Sequence, residues 1–207
     1  MFYNFLKFFI FPFIRIIWIQ KVININNIPK KGGVIIASNH SSYFDFITLY
    51  SICPRRVYFL AGEVFFQKKR WSWLMRLTKQ IKVDRNVKNK SDSLNTASKF
   101  LKENKVIGIF PEGTRSHDGK LQVAYNGAVK LSIMSGAPIL PVGIVGTYEI
   151  MSRFDKFPKF KKCSINFGQL KNYSNDLRNL DDVSYLNSLT RELMEDIASL
   201  SGQSYTF

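Results

Sequence analysis

Two short stretches of this 207-residue chain carry side chains able to do acid–base and anion-binding chemistry. The first is Asn39-His40-Ser41-Ser42-Tyr43-Phe44-Asp45, which directly follows the apolar run Val34-Ile35-Ile36-Ala37-Ser38. His40 is one of only two histidines, and it stands where a buried strand should end. His40 and Asp45 are five positions apart, so on one continuous helix they would point about 140° away from each other. They meet only if Ser41-Ser42 makes a turn or cap and Asp45 falls in the first turn of the following helix. The carboxylate would then fix the imidazole tautomer and leave the other ring nitrogen as a general base. The second stretch is Phe110-Pro111-Glu112-Gly113-Thr114-Arg115-Ser116, again leaving an apolar strand. Arg115 offers a planar guanidinium suited to phosphate, Gly113 allows close backbone approach, and Glu112 can position Arg115 or accept from a substrate hydroxyl. Arg85, after its own short strand, adds a second cation. Taken singly, His40 reads as a capped histidine and Glu112–Arg115 as a local ion pair. Together, beyond the ends of strands, they point to one crevice.

The elements that must hold these turns alternate. Strands are expected at residues 34–38, 57–61, 81–83, 106–110, 139–145 and 164–167, from short β-branched runs. Helices are expected from about 42 to 52, 91 to 104, 126 to 135 and 182 to 200. The last has an inner stripe of Val183, Leu186, Leu189, Leu193, Ile197 and Leu200 and an acidic outer face. This order predicts an α/β fold: a single layered domain with a central, mostly parallel or mixed sheet flanked by helices. There are no internal repeats.

Composition narrows the partners. The net charge is +15, and it is unevenly spread: residues 1–175 carry 28 Lys/Arg against 9 Asp/Glu, and residues 176–207 carry 2 against 6. A basic body predicts an anionic partner. Cys53 and Cys163 have no paired spacing, which predicts neither a disulfide framework nor a zinc site. Residues 1–20, MFYNFLKFFIFPFIRIIWIQ, are densely apolar, with Asn4, Lys7 and Arg15 at helical spacing. Lys7, Pro12 and Arg15 interrupt a clean span, and no small-residue cleavage site follows. The stretch therefore predicts a helix lying in a membrane interface with Lys7 and Arg15 snorkelling, a helix packed on the protein's own core and a short span being left open. A boundary at residue 24 would separate this helix, residues 1–24, from the body, residues 25–207. Residues 64–77 mix Phe65, Phe66, Trp71 and Trp73 with Lys68, Lys69, Arg70 and Arg76, which suits lipid headgroups. The same mixture fits single-stranded nucleic acid, but the apolar start favours a membrane over nucleic acid. Residues 153–162 form a second basic, aromatic loop.

Asn39-His40-x-x-x-x-Asp45 and Phe110-Pro111-Glu112-Gly113-Thr114-Arg115-Ser116 resemble two signature blocks of the glycerolipid acyltransferases, in particular the bacterial 1-acyl-glycerol-3-phosphate acyltransferases. Val83-Asp84-Arg85 resembles the block between them, and Ile139-Leu140-Pro141-Val142 a fourth. The likeness runs from about residue 30 to 150. It implies that His40, oriented by Asp45, deprotonates the sn-2 hydroxyl of lysophosphatidic acid for direct attack on an acyl thioester, giving phosphatidic acid. Arg85, Glu112, Gly113, Thr114 and Arg115 would hold the glycerol phosphate, and Pro141 would shape the acyl side. It implies no metal and no cofactor, with acyl carrier protein or coenzyme A thioester as co-substrate, and a place on the cytoplasmic face of an anionic cell membrane. The chain departs from the family at Lys79-Gln80, where a glycine often opens the second block, at Lys82 and at Tyr125-Asn126. These departures bear on the lysolipid headgroup. Acylation of another lysolipid, and a non-catalytic basic membrane-binding module, are the alternatives; the second leaves both turns without a purpose. His117, in Ser-His-Asp-Gly, reads as a solvated turn residue.

Overall fold

A computed structural model describes residues 2–62, 64–67, 72–73, 76, 78, 80–83, 91–173 and 180–207. The seven strands are β1 (Ile19–Ile23), β2 (Val34–Ser38), β3 (Val57–Gly62), β4 (Ile81–Val83), β5 (Val106–Ile109), β6 (Ile139–Val145) and β7 (Cys163–Phe167). They form one sheet in the order β1-β7-β6-β2-β5-β3-β4. β6, β2, β5, β3 and β4 are mutually parallel; β7 runs antiparallel to β6, and β1 runs parallel to β7. The architecture is the expected α/β one, with a mostly parallel sheet between helices.

β2 sits at the centre because nothing in Val34-Ile35-Ile36-Ala37 needs water, and all four are fully buried. Val34 and Ile36 face a layer made by α3 (Phe44–Ile52), α2 (Phe11–Trp18) and the inner residues of β3, β6 and β7. A short α4 (Val64–Gln67) follows β3, and Ile35 and Ala37 face the opposite layer of α5 (Ser91–Lys102), α6 (Gly127–Ser135) and α8 (Val183–Ser201). In α8 the stripe is Leu186, Leu193, Met194, Ile197 and Ala198. Val183, expected on it, is mostly exposed, because it is the first helical residue and precedes the docked turns.

The N-terminal helix runs through α1 (Phe2–Phe5), a π-helical turn (Leu6–Ile10) and α2 (Phe11–Trp18). The π turn precedes Pro12, which has no N–H to bond one turn back. The helix stops at Trp18, where Ile19 turns extended. Residues 19–23, expected as the tail of the N-terminal segment, instead form β1, paired with β7. One face of the helix packs on the core through Tyr3, Phe11, Ile14 and Trp18. Lys7 is on that inner side: its Nζ donates to the carbonyls of Pro54 (2.6 Å) and Cys53 (3.3 Å), so it closes the C-terminus of α3 and does not reach outward. The other face leaves Phe5, Phe8, Phe9, Phe13 and Ile16 exposed. Among the described residues no helix is long and apolar enough to cross a membrane.

Candidate active site

Both chemistry-bearing turns leave adjacent parallel strands at their carboxyl ends, β2 and β5. The side chain of Asn39 extends the β2–β6 ladder past the end of β2. Its Nδ2 donates to the Ile144 carbonyl and its Oδ1 accepts from the Ile144 N–H, each at 2.8 Å. The main chain is thereby free to turn at His40. The turn is closed by Asp45, in the first turn of α3 as the spacing requires. A single oxygen, Oδ2, accepts from the Ser41 N–H, the Ser42 N–H and His40 Nδ1, each at 2.8 Å. Asp45 is completely buried. Because an ionised carboxylate can only accept, Nδ1 carries its hydrogen and Nε2 is the basic nitrogen. The ring is held flat against Phe110, with centroids 3.9 Å apart and planes 14° apart, and Phe46 meets its edge at 5.2 Å. Ser42 Oγ caps the Phe44 N–H (2.9 Å) and donates to the Met151 carbonyl, while Ser41 Oγ meets Thr147 Oγ1 at 3.1 Å.

Glu112 joins the two turns in a way the sequence does not suggest. Its Oε1 accepts the His40 N–H at 2.8 Å and its Oε2 accepts the Gln122 N–H at 3.0 Å, with the residue 2% exposed. Both oxygens are occupied by backbone, so Glu112 braces the site from within and neither pairs with Arg115 nor faces the crevice. Burial pushes its pKa up to about 8, against the opposing pull of the two N–H donors. The Ser116 N–H donates to the His40 carbonyl at 2.8 Å, a second tie between the turns. Gly113 has φ +67°, and a Cβ there would press on the Tyr125 ring. Thr114 is exposed.

Arg115 brings a cation to the site. Its guanidinium lies 3.5 Å over the ring of Tyr43, three residues after His40, and its Nη1 is buried with no hydrogen-bond partner. Burial lowers its pKa, but an arginine stays protonated across the physiological range. Arg153 lies beside it, donating from Nη1 to the Arg115 carbonyl at 3.3 Å. The same nitrogen meets His117 Nε2, so His117 is a partner of Arg153 and not simply a solvated residue.

His40, Asp45, Glu112, Gly113 and Arg115 are therefore gathered at one end of the sheet. Pro141 is not. It pairs with Ala37 inside β6, and strand alternation puts its ring on the Ala37 face, against Gly168 beneath α8. Arg85 lies outside the described residues, as do Asp84 and Lys68–Trp71. Asn39, Tyr43, Phe46 and Arg153 also line or brace these turns, roles that residue type and spacing do not announce. The signal for Asn39 was an amide caught between an apolar strand and a histidine; for Arg153 it was a cation opening a loop after a buried strand.

Residues 20–145 match the family model described as Acyltransferase. The chain is 33% identical to the 1-acyl-sn-glycerol-3-phosphate acyltransferase of Bacillus subtilis, over 88% of this chain and 88% of that one. It is 28% identical to a chloroplastic 1-acyl-sn-glycerol-3-phosphate acyltransferase of Brassica napus, over 69% of this chain and 40% of that longer protein. Among solved structures, the 1-acyl-sn-glycerophosphate acyltransferase of Thermotoga maritima has a similar fold, with a TM-score of 0.69 at 23% identity, covering 91% of this chain and 75% of that one.

Proposed function

The chain belongs to the acyltransferase family, and on that premise we propose that it moves a fatty acyl group from a thioester to the sn-2 hydroxyl of 1-acyl-glycerol-3-phosphate, making phosphatidic acid. The observation that carries the reaction type is the 2.8 Å bond from His40 Nδ1 to a buried carboxylate, which leaves Nε2 as the base.

In the proposed step Nε2 takes the hydroxyl proton as the oxygen attacks the thioester carbonyl. The imidazolium formed is stabilised by Asp45 through Nδ1. Collapse of the tetrahedral intermediate expels the thiolate, which takes the proton back from Nε2. No acyl-enzyme forms, and the protein ends as it began. A positioned base of this kind contributes about 10²- to 10⁴-fold. Stacking on Phe110 and the edge of Phe46 keeps the ring from rotating out of line.

The phosphate is held by Arg115, whose unpartnered Nη1 needs an acceptor. Arg153 lies close enough to share the charge. Gly113 and Thr114 shape the turn that admits the glycerol, and Arg85 supplies a further cation. Glu112 supports this site by bracing His40 and Gln122. The acyl donor is a carrier-protein or coenzyme A thioester, with no cofactor. The exposed apolar face of the N-terminal helix rests in the cytoplasmic leaflet of an anionic membrane, where the lysolipid is found.

The test is acyl transfer by the purified protein to lysophosphatidic acid, with acyl carrier protein and coenzyme A thioesters supplied separately, beside His40→Ala. Transfer with either donor that is abolished in the variant supports the reading. No transfer to lysophosphatidic acid refutes the substrate, and undiminished transfer by His40→Ala refutes the mechanism.

A further inference from the structure

Residues 153–162, between α7 (Thr147–Ile150) and β7, carry three phenylalanines that face solvent. Phe154 is 71%, Phe157 80% and Phe160 85% exposed. A loop of this length with a loose backbone could fold such rings inward, but this one is fixed by its own hydrogen bonds. Asp155 accepts from the Ser152 N–H (2.9 Å) and hydroxyl (2.7 Å) and pairs with Lys159 Nζ at 2.9 Å. The Lys159 N–H donates to the Ile150 carbonyl at 2.8 Å. The rings are thus held outward. Around them stand Lys156, Lys159, Lys161 and Lys162, all exposed, while the one carboxylate of the segment, Asp155, is neutralised internally.

The loop continues the exposed face of the N-terminal helix. Trp18 stacks on Phe160 with centroids 6.0 Å apart and planes 5° apart, and its Nε1 donates to the Lys159 carbonyl at 3.0 Å. Lys162 Nζ donates to the Ile16 carbonyl at 3.1 Å. Two segments far apart in sequence therefore share one surface, apolar in the middle and cationic at the loop. At its root the loop meets the site: Ser42 Oγ donates to the Met151 carbonyl, and Arg153 donates to the Arg115 carbonyl.

We infer that the 153–162 loop is a second membrane-docking element, which inserts Phe154, Phe157 and Phe160 among the headgroups of an anionic leaflet beside the N-terminal helix. The occupant is a lipid surface because the rings protrude instead of lining a groove, because lysines interleave them, and because they adjoin a second exposed apolar face. Exposed aromatic rings next to lysines match the chemistry of the bilayer interface, apolar just below an anionic layer. Docking through two elements would fix the orientation of the body as well as its distance from the membrane. The choice of a lipid partner rests on the proposed acyl-transfer reading; the surface itself does not.

The experiment is co-sedimentation of the full chain with vesicles of phosphatidylcholine and phosphatidylglycerol, comparing the parent with the triple variant Phe154→Ser, Phe157→Ser, Phe160→Ser. Acyl transfer is followed in parallel on vesicle-borne lysophosphatidic acid and on a short-chain, monomeric one. Loss of interfacial aromatic area should weaken vesicle binding by about tenfold or more. Transfer from the bilayer should fall with it, while transfer to the monomeric acceptor and the melting temperature stay as in the parent. Vesicle binding within about twofold of the parent would overturn the inference and assign this face to a protein partner. An equal loss on both acceptors would also overturn it, since the loop would then be serving the site. The single variant Phe157→Ser gives the same readout should the triple variant fail to fold. If the parent transfers to no acceptor yet loses vesicle binding through these substitutions, docking stands and the acyl-transfer reading falls.

Discussion

Asp45 Oδ2 satisfies three donors at once, so the charge that orients the base also builds the turn presenting it. Asp45→Asn keeps the size of the side chain but removes the charge and swaps one acceptor for a donor. The amide can serve some of the three N–H groups but cannot stabilise the imidazolium. Steady-state kinetics should show kcat falling by about 10²- to 10⁴-fold. KM for the lysolipid should change little, because Arg115 is untouched. An unaltered kcat would remove Asp45 from the mechanism. Glu112 makes a separate prediction through its titration. Its carboxyl holds a proton up to about 8 in the folded chain, against an ordinary value of 4.5. Between those values the folded state binds the extra proton, so this group's contribution to stability is full below 4.5 and is lost as pH rises to about 8. Glu112→Gln abolishes the titration and offers one acceptor to two N–H groups. Below 4.5 the variant should melt lower than the parent, by roughly the 1–3 kcal/mol of an unmet buried donor, and the gap should close as the pH rises to about 8. Its melting temperature should also vary less than the parent's across that window, measured by circular dichroism.

Elements place these residues, and two of them act through single side chains. Asn39 is the last rung between β2 and β6. Asn39→Ala strands both the N–H and the carbonyl of buried Ile144, at a cost of about 1–3 kcal/mol for each group. Denaturant unfolding should show the loss, and kcat should fall as well, since the residue after Asn39 is the base. Gly108 acts through a ring stack. A Cβ at Gly108 would overlap the Phe59 ring, Phe59 stacks on Phe110 at 5.6 Å, and Phe110 stacks on His40. Gly108→Ala should therefore cost about 1–3 kcal/mol in stability and also lower kcat, an effect visible in kinetics on the folded fraction. Apolar runs gave away most of the sheet, because β2, β5 and β6 are buried on both sides and need no water. β1 was hidden: Ile19-Gln20-Lys21-Val22-Ile23 directly continues an apolar helix and becomes a strand only by pairing with residues 163–166. No local pattern records a partner that distant. Likewise the meeting of His40 with Asp45 across a turn was legible from types and spacing. The bracing role of Glu112 was not, since it depends on which backbone N–H groups a buried carboxylate happens to meet. Lys7 misled for the same reason, its cation being taken up by the carbonyls of Cys53 and Pro54.

At the scale of the whole molecule the charge is segregated. Residues 1–175 carry 28 basic against 9 acidic side chains, and the end of the chain, which includes the acidic face of α8, carries 2 against 6. α8 lies on the sheet layer opposite to α2 and α3, so its acidic face is on the side away from the N-terminal helix. A molecule with this polarity near an anionic leaflet is turned as well as attracted, its acidic face outward and its aromatic and lysine surface inward. Attraction and insertion respond differently to salt. Each lysine near an anionic surface is worth about 1 kcal/mol, and this is lost as the Debye length shrinks from about 10 Å at 0.1 M to about 3 Å at 1 M. The apolar contacts of the exposed phenylalanines are not screened. Binding to phosphatidylglycerol-containing vesicles should therefore weaken by about tenfold or more between those salt concentrations and then level off. Binding to pure phosphatidylcholine should start near that plateau and hardly respond to salt. The two curves converge only if charge and aromatic insertion are separate contributions on one surface. If the anionic curve fell to nothing in high salt, the phenylalanines would contribute no insertion, and orientation would rest on charge alone.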